Sequence, residues 1–171
     1  GKTLTISEGV TLTNNGTITV ESGGTLINNG TIVNNGTING SGKVVVSTYY
    51  VDTGNQRVEA QAIPVTTGST TWGAADGEEH WYVVNSDVTF DQERVTVTGN
   101  VHLILADGYT LDASLGIHVS EGNSLTIYGQ SGGNGAVLAT GSKNGAGIGG
   151  GQSETGGTII INGGNVKATG D

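Results

Sequence analysis

The sequence predicts an all-β fold, a stacked parallel β-coil or β-solenoid, and three observations predict it. A strict repeat runs from Gly24 to Val46: Gly24-Thr25-Leu26-Ile27-Asn28-Asn29, Gly30-Thr31-Ile32-Val33-Asn34-Asn35, Gly36-Thr37-Ile38-Asn39-Gly40-Ser41, then Gly42-Lys43-Val44-Val45-Val46. Six residues are too few for a helical repeat and fit one short strand plus one turn. Elsewhere threonine alternates with an aliphatic, the period-two sign of a strand with one dry and one wet face. Turn words such as Asn-Gly, Asp-Gly and Gly-Gly separate these runs, and no helix signal lies between them.

The elements follow in order. Thr3-Leu4-Thr5-Ile6, Val10-Thr11-Leu12-Thr13 and Thr17-Ile18-Thr19-Val20 read as strands, with Leu4, Ile6, Val10, Leu12, Ile18 and Val20 inward. Three hexads make one coil, so the expected coil is roughly 18–22 residues with three short strands. Stacked Asn-Asn pairs at the corners are expected to bond as ladders. The sequons beginning at Asn15, Asn29, Asn35 and Asn39 are taken as a by-product of that composition. Residues 47–80 lose the period and read as an irregular insertion or seam. The strand rhythm returns from Trp81-Tyr82-Val83-Val84 through Val137-Leu138-Ala139, followed by the Gly-rich stretch from Gly145 to Gly170. The expected organisation is a hexad block over 1–46, the seam over 47–80, and a longer-coil block over 81–171. The chain stops inside a Gly-rich repeat, which reads as a piece of a longer protein.

Composition narrows function more by exclusion than by assignment. Only 12% of residues are charged, too few for a disordered chain, and only 5% are aromatic, so the core must be aliphatic. There is no cysteine, which removes disulfides, thiolate metal sites and thiol nucleophiles. A net charge of −9 argues against nucleic acid and anionic membrane surfaces as partners. No apolar run approaches a membrane span, so membrane insertion is not expected.

The large side chains cluster around the seam. Tyr49, Tyr50, Trp72, Trp81 and Tyr82 are the candidate ligand-binding residues, because aromatics on a rigid scaffold stack on sugars or anchor a partner. The competing reading is that they cover the core where the repeat breaks. Asp76, Glu78, Glu79, Asp87 and Asp91 are the candidate metal ligands. Oxygen-rich loops suit calcium, although the spacing matches neither an EF-hand nor a calcium-roll repeat. Arg94 stands among Asp87, Asp91 and Glu93 and reads as part of a solvated turn. Of the basic residues Lys2, Lys43, Arg57, Arg94, Lys143 and Lys167, it alone sits among acids. His102 and His118 alternate with inward aliphatics and so point outward. No catalytic residue is assigned.

The block from Trp81 to Gly170 resembles a repeat type of large bacterial surface proteins. The matching words are Trp81-Tyr82-Val83-Val84, Val101-His102-Leu103-Ile104-Leu105-Ala106-Asp107-Gly108, Gly116-Ile117-His118-Val119, Ser124-Leu125-Thr126-Ile127-Tyr128-Gly129-Gln130, Ala146-Gly147-Ile148-Gly149-Gly150 and Ile159-Ile160-Ile161-Asn162-Gly163-Gly164. Such segments look like right-handed parallel β-helices of the pectin-lyase-like superfamily. The Asn-Asn-Gly-Thr-Ile hexads are similar to repeats of bacterial adhesins. The resemblance implies a secreted or cell-surface location and a stalk or adhesive role without catalysis. Separately, an open solenoid end exposes unpaired strand edges, so self-association through the ends is expected. The resemblance also leaves two alternatives: a module binding a polysaccharide or host-surface glycan, with calcium as the only cofactor in view, and a polysaccharide lyase or glycoside hydrolase.

Overall fold

The structure, a computed structural model, describes residues 1–142 and 144–171; Lys143 lies outside the described residues. It is built of short strands with no helix among the described residues, stacked as a parallel β-solenoid of about 6 turns. The chain divides into two compact units. One is Gly1–Thr48 with Ala60–Ile63, and the other is Tyr49–Glu59 with Pro64–Asp171.

In the first unit, β1 (Thr3–Ile6), β2 (Thr11–Asn14) and β3 (Thr17–Thr19) form one coil. β4 (Thr25–Asn28), β5 (Thr31–Asn34) and β6 (Thr37–Asn39) form the next, and β7 (Lys43–Val51) begins a third. All pair in parallel: Thr3 lies opposite Thr25, Thr11 opposite Thr31, Thr17 opposite Thr37, and Thr25 opposite Lys43. The last step spans three hexads, as the repeat required. Ile6, Val20 and Leu26 are buried, with Leu12, Ile18, Ile32 and Val44 packed on them. The threonines of β1, β2 and β3 face solvent.

The corners carry the expected ladders. Asn14 Nδ2 donates to Asn34 Oδ1 at 2.7 Å, and Asn35 Nδ2 donates to Asn15 Oδ1 at 2.9 Å. Coils approach so closely there that a Cβ on Gly36 would collide with the Gly16 carbonyl oxygen, which is why each hexad opens on glycine. Two inward expectations fail. Leu4 is 55% exposed because its strand has a neighbouring rung on one side only. Val10 is 50% exposed because it sits in the turn before β2, its amide bonded to the Ser7 carbonyl, rather than on a strand.

The stretch 47–80 is more regular than its sequence. β7 continues to Val51, β8 spans Arg57–Pro64 and β9 spans Thr71–Gly73. Between β7 and β8 the chain turns tightly. The Asp52 amide donates to the Gln56 carbonyl, Asp52 Oδ1 accepts from the amides of Gly54 and Gln56, and Asn55 takes φ 59°. Residues 49–59 therefore form a hairpin arm, and the arm belongs to the second unit.

The second unit has three parallel ladders. The first holds β10 (Glu79–Val84), β13 (Asn100–Leu105), β16 (Ser124–Gly129) and β19 (Thr158–Ile161). The second holds β11 (Val88–Phe90), β14 (Thr110–Ala113), β17 (Ala136–Thr140) and β20 (Asn165–Thr169). The third holds β9, β12 (Val95–Thr98), β15 (Ile117–Val119) and β18 (Ile148–Gly149). The first step matches the expected coil and the later ones exceed it. Trp81 lies opposite His102, His102 opposite Thr126, and Thr126 opposite Ile160. These are steps of 21, 24 and 34 residues. The excess sits in turns between strands, such as the Gly-rich turn 150–157 between β18 and β19. The core is a dry stack of Leu103, Leu105, Leu111, Ile117, Leu125, Ile127 and Val137, each fully buried.

Candidate functional site

The aromatics expected to form one patch divide into two groups. Trp72 and Tyr82 are inside the coil. Trp72 is fully buried, its indole N–H donates to the Ser69 carbonyl, and its ring lies 5.8 Å from Tyr82 and 6.3 Å from Phe90. The Tyr82 hydroxyl accepts the Gly73 amide. Alternation explains this: Tyr82 shares a register with the inward Leu103, and Trp72 with the inward Val97. These two belong to the core and are not available to a ligand.

Tyr49, Tyr50 and Trp81 are on the outer face of β10–β13–β16, with two residues outside the expected ligand-binding set, His102 and Tyr128. The centroids of Trp81 and His102 stand 4.3 Å apart at 10°, since the two face one another across adjacent strands. Tyr50 comes in from the arm, 5.0 Å from Trp81 and 4.4 Å from Tyr128. Tyr128 closes the group, 5.6 Å from Trp81 and 5.9 Å from His102. On the same outward face Val83 and Ile104 are fully buried, an unusual state for outward positions. The arm docks there: Gln130 Nε2 donates to the Tyr49 carbonyl, and the Tyr49 and Ser131 hydroxyls bond at 2.9 Å. Arg57 stacks over the Tyr49 ring at 3.9 Å and bonds Glu59. The rings thus bind one another and hold the arm. The alternation alone places His102 outward, but the contribution of Tyr128 depends on the arm, which leaves no trace in periodicity.

Burial lowers the pKa of His102, opposed by Glu79, whose carboxylate oxygen lies 3.8 Å from Nε2. Burial raises that of the Tyr128 phenol, and the neighbouring Tyr50 adds to it. The His102 Nδ1 and Tyr128 hydroxyl are 3.3 Å apart.

The acids named as calcium ligands do not gather. Asp76 bonds His80 at 3.0 Å and the Glu78 amide, and the bond from His80 is the main cause of its lowered pKa. Asp87 accepts the Thr110 amide. Asp91 lines a depression of about 370 Å³ with Thr67, Thr70, Phe90, Gln92 and Glu93. Among the described residues no three His, Asp or Glu side chains converge on a metal position.

Arg94 corrects the reading of a solvated turn. Its Nη2 donates to the carbonyls of Ala146, Gly149 and Gly150, at 2.7, 3.2 and 3.2 Å. It pins the Gly-rich loop, and burial lowers its pKa. On that loop Glu154 accepts the Gly151 amide and bonds His118 at 2.7 Å, and the bond from His118 is the first cause of its lowered pKa. His102 and His118 both point outward, as the alternation required.

Searches against protein-family models, curated proteins and solved structures find no match for this chain.

Proposed function

We propose that the chain is a non-enzymatic structural module, a stalk or adhesive spacer of a bacterial extracellular surface protein. The observation that carries this reading is how its reactive side chains are used. Arg94 is spent on three carbonyls, Asp87 on an amide and Trp72 on the core, while Asp76 and Glu154 each hold a histidine. Catalytic groups need free lone pairs or protons aimed at a substrate. A scaffold uses the same groups to satisfy its own backbone. What faces outward on the hexad coils is mostly threonine and asparagine, suited to a hydrated, rigid surface.

Two measurements test it. Incubation with a panel of acidic and neutral polysaccharides should release neither reducing ends nor unsaturated products, and turnover of any one overturns the reading. Antibodies to this region should label intact cells that express the parent chain, and labelling only after permeabilisation removes the surface assignment. The same reading includes self-association of copies through unpaired strand edges. Light scattering on the 171-residue chain should then show concentration-dependent growth, and monodisperse monomer at every concentration removes self-association.

Carbohydrate binding is the second reading, and the outward aromatic group supports it. Sugar stacking needs a free ring face, and Trp81 already spends its faces on Tyr50 and His102. A ligand would have to displace the arm. A glycan array with and without calcium decides this, and silence on both removes the reading.

A further inference from the structure

We propose that Tyr50 and Tyr128 are an oxidative cross-linking site, at which a one-electron oxidant joins the two phenols carbon to carbon and locks the hairpin arm covalently onto the β10–β13–β16 face. The oxidant class is a peroxidase using hydrogen peroxide, or its photochemical equivalent.

Four observations converge on this pair. The Tyr50 and Tyr128 ring centroids are 4.4 Å apart at 49°, closer than any other tyrosine pair among the described residues. They come from segments far apart in sequence, so one bond closes the arm. Trp81 lies 5.0 and 5.6 Å from the two rings and can pass an oxidising equivalent to either. The Tyr128 hydroxyl faces His102 Nδ1 at 3.3 Å. With the ring proton on Nε2 towards Glu79, Nδ1 accepts the phenol's hydrogen bond and then its proton as the electron leaves. Finally, the chain has no cysteine and no methionine, the sulfur side chains that otherwise absorb oxidising equivalents. It also has no disulfide with which to fasten the arm.

The step balances. Each phenol gives up one electron and one proton. The two phenoxyl radicals couple at their ortho carbons, and both rings regain aromaticity by moving the ortho hydrogens to the oxygens. One hydrogen peroxide takes the two electrons and two protons and leaves as two waters. The protein loses two hydrogen atoms in total.

The groups facing His102 are Trp81 and Glu79 from β10 and Tyr128 from β16. Asn162 bonds Tyr128, and Tyr50 lies beyond it on the arm. Burial keeps His102 unprotonated near neutral pH, so Nδ1 is available as a base. His102 is a positioning residue here, and its contribution is separable from its packing.

The test uses the folded chain with photo-generated ruthenium(III) tris-bipyridine and persulfate, read by intact mass, blue biphenol fluorescence and tryptic mapping. The expected product is a monomer lighter by two hydrogens. Its link joins the peptide after Lys43, which carries Tyr50, to the peptide after Arg94, which carries Tyr128. Tyr50→Phe and Tyr128→Phe should each abolish the link, while Tyr49→Phe and Tyr109→Phe should keep it. All four keep the ring, and circular dichroism verifies that each remains folded. His102→Phe keeps a ring on Trp81 but cannot take a proton. Its yield at pH 7 should fall several-fold and recover only well above pH 10, where even the raised Tyr128 phenol ionises unaided. The proposal is overturned by a link that survives in either Tyr50→Phe or Tyr128→Phe. It is equally overturned if coupling yields only intermolecular dimers through the exposed Tyr109, or if Tyr109 reacts at a dose that leaves the pair unlinked. A His102→Phe variant with the wild-type pH profile removes the proton-acceptor role.

Discussion

The two units run the same parallel ladder on different resources. In the first, steps of 18–22 residues leave a narrow interior in which only Ile6, Val20, Leu26 and Val45 of the hexad coils are buried aliphatics. Its corners are tied by asparagine side chains. In the second, steps of 21–34 residues open room for leucine, isoleucine and a whole tryptophan. Its loops are tied by single long-range polar groups such as Arg94. The first unit trades apolar burial for hydrogen-bonded ladders, and the second does the reverse. The difference teaches that what a rung carries at its inward positions and corners, more than the length of its step, decides what holds it in place. The 21-residue step from β10 to β13 belongs to the second unit and the 22-residue step from β1 to β4 to the first.

The sharpest way to break that contrast is Trp72→Ala. Removing a fully buried indole from the wide coil should cost about 3–5 kcal/mol, read as a lower denaturant midpoint. Leu26→Ala removes the best-buried leucine of the narrow coil. Its cost should be about 2 kcal/mol, the low end for such a cavity, because partly exposed Leu12, Ile18 and Ile32 can settle inward. A Leu26→Ala loss equal to that of Trp72→Ala would mean that both units depend on apolar burial alike. Asn14→Ala tests the other half of the contrast. Asn14 is buried at 6% exposure and bonds both Asn34 and the Thr37 carbonyl. Its loss should cost about 1 kcal/mol, where an exposed ladder member such as Asn35 should cost less. Equal, negligible costs would show that the ladders hold nothing.

The fold was legible because its signals are local and repeated. Glycine at each hexad start, inward Ile6 and Leu26, outward threonine and the Asn14–Asn34 ladder are all set by period and by steric closeness between like coils. The site was legible in part. Trp81 and Tyr50 were named, but Trp72 and Tyr82 were placed with them because seam residues carry no period to separate inward from outward. Arg94 was misread for a related reason: its acidic neighbours in sequence are not its partners in space, which lie more than fifty residues on. The calcium expectation met the same obstacle. Asp76 and Asp87 are close in sequence, yet Asp76 is taken up by its own turn and Asp87 by the Thr110 amide of the next coil. Where a residue's partner lies one coil away at fixed register, sequence finds it; where the partner sits on a variable loop or on the arm, it does not.

Acidification gives the smallest effect and separates the units by window. In the second unit, burial lowers the pKa of His102 from 6.5, so the unfolded chain binds that proton more readily than the fold does. The stability contributed by neutral His102 is therefore complete above about pH 6.5 and falls as pH drops through the folded pKa. Asp76 and Glu154 are held low by bonds from His80 and His118. Their contribution is complete above their ordinary values of 3.8 and 4.5 and is lost only below them, as pH falls through the folded pKa. Between pH 6.5 and 4.5 His102 should therefore add a positive slope to the unfolding free energy against pH, and His102→Phe should remove that slope. The first unit contains no histidine, and amides exchanging in β1 to β6 should show no such slope over the same window. Hydrogen exchange resolved by residue checks both: loss of protection confined to β10, β13, β16 and the arm sustains the contrast, whereas a parallel loss in the asparagine-laddered coils would show that the two units open as one.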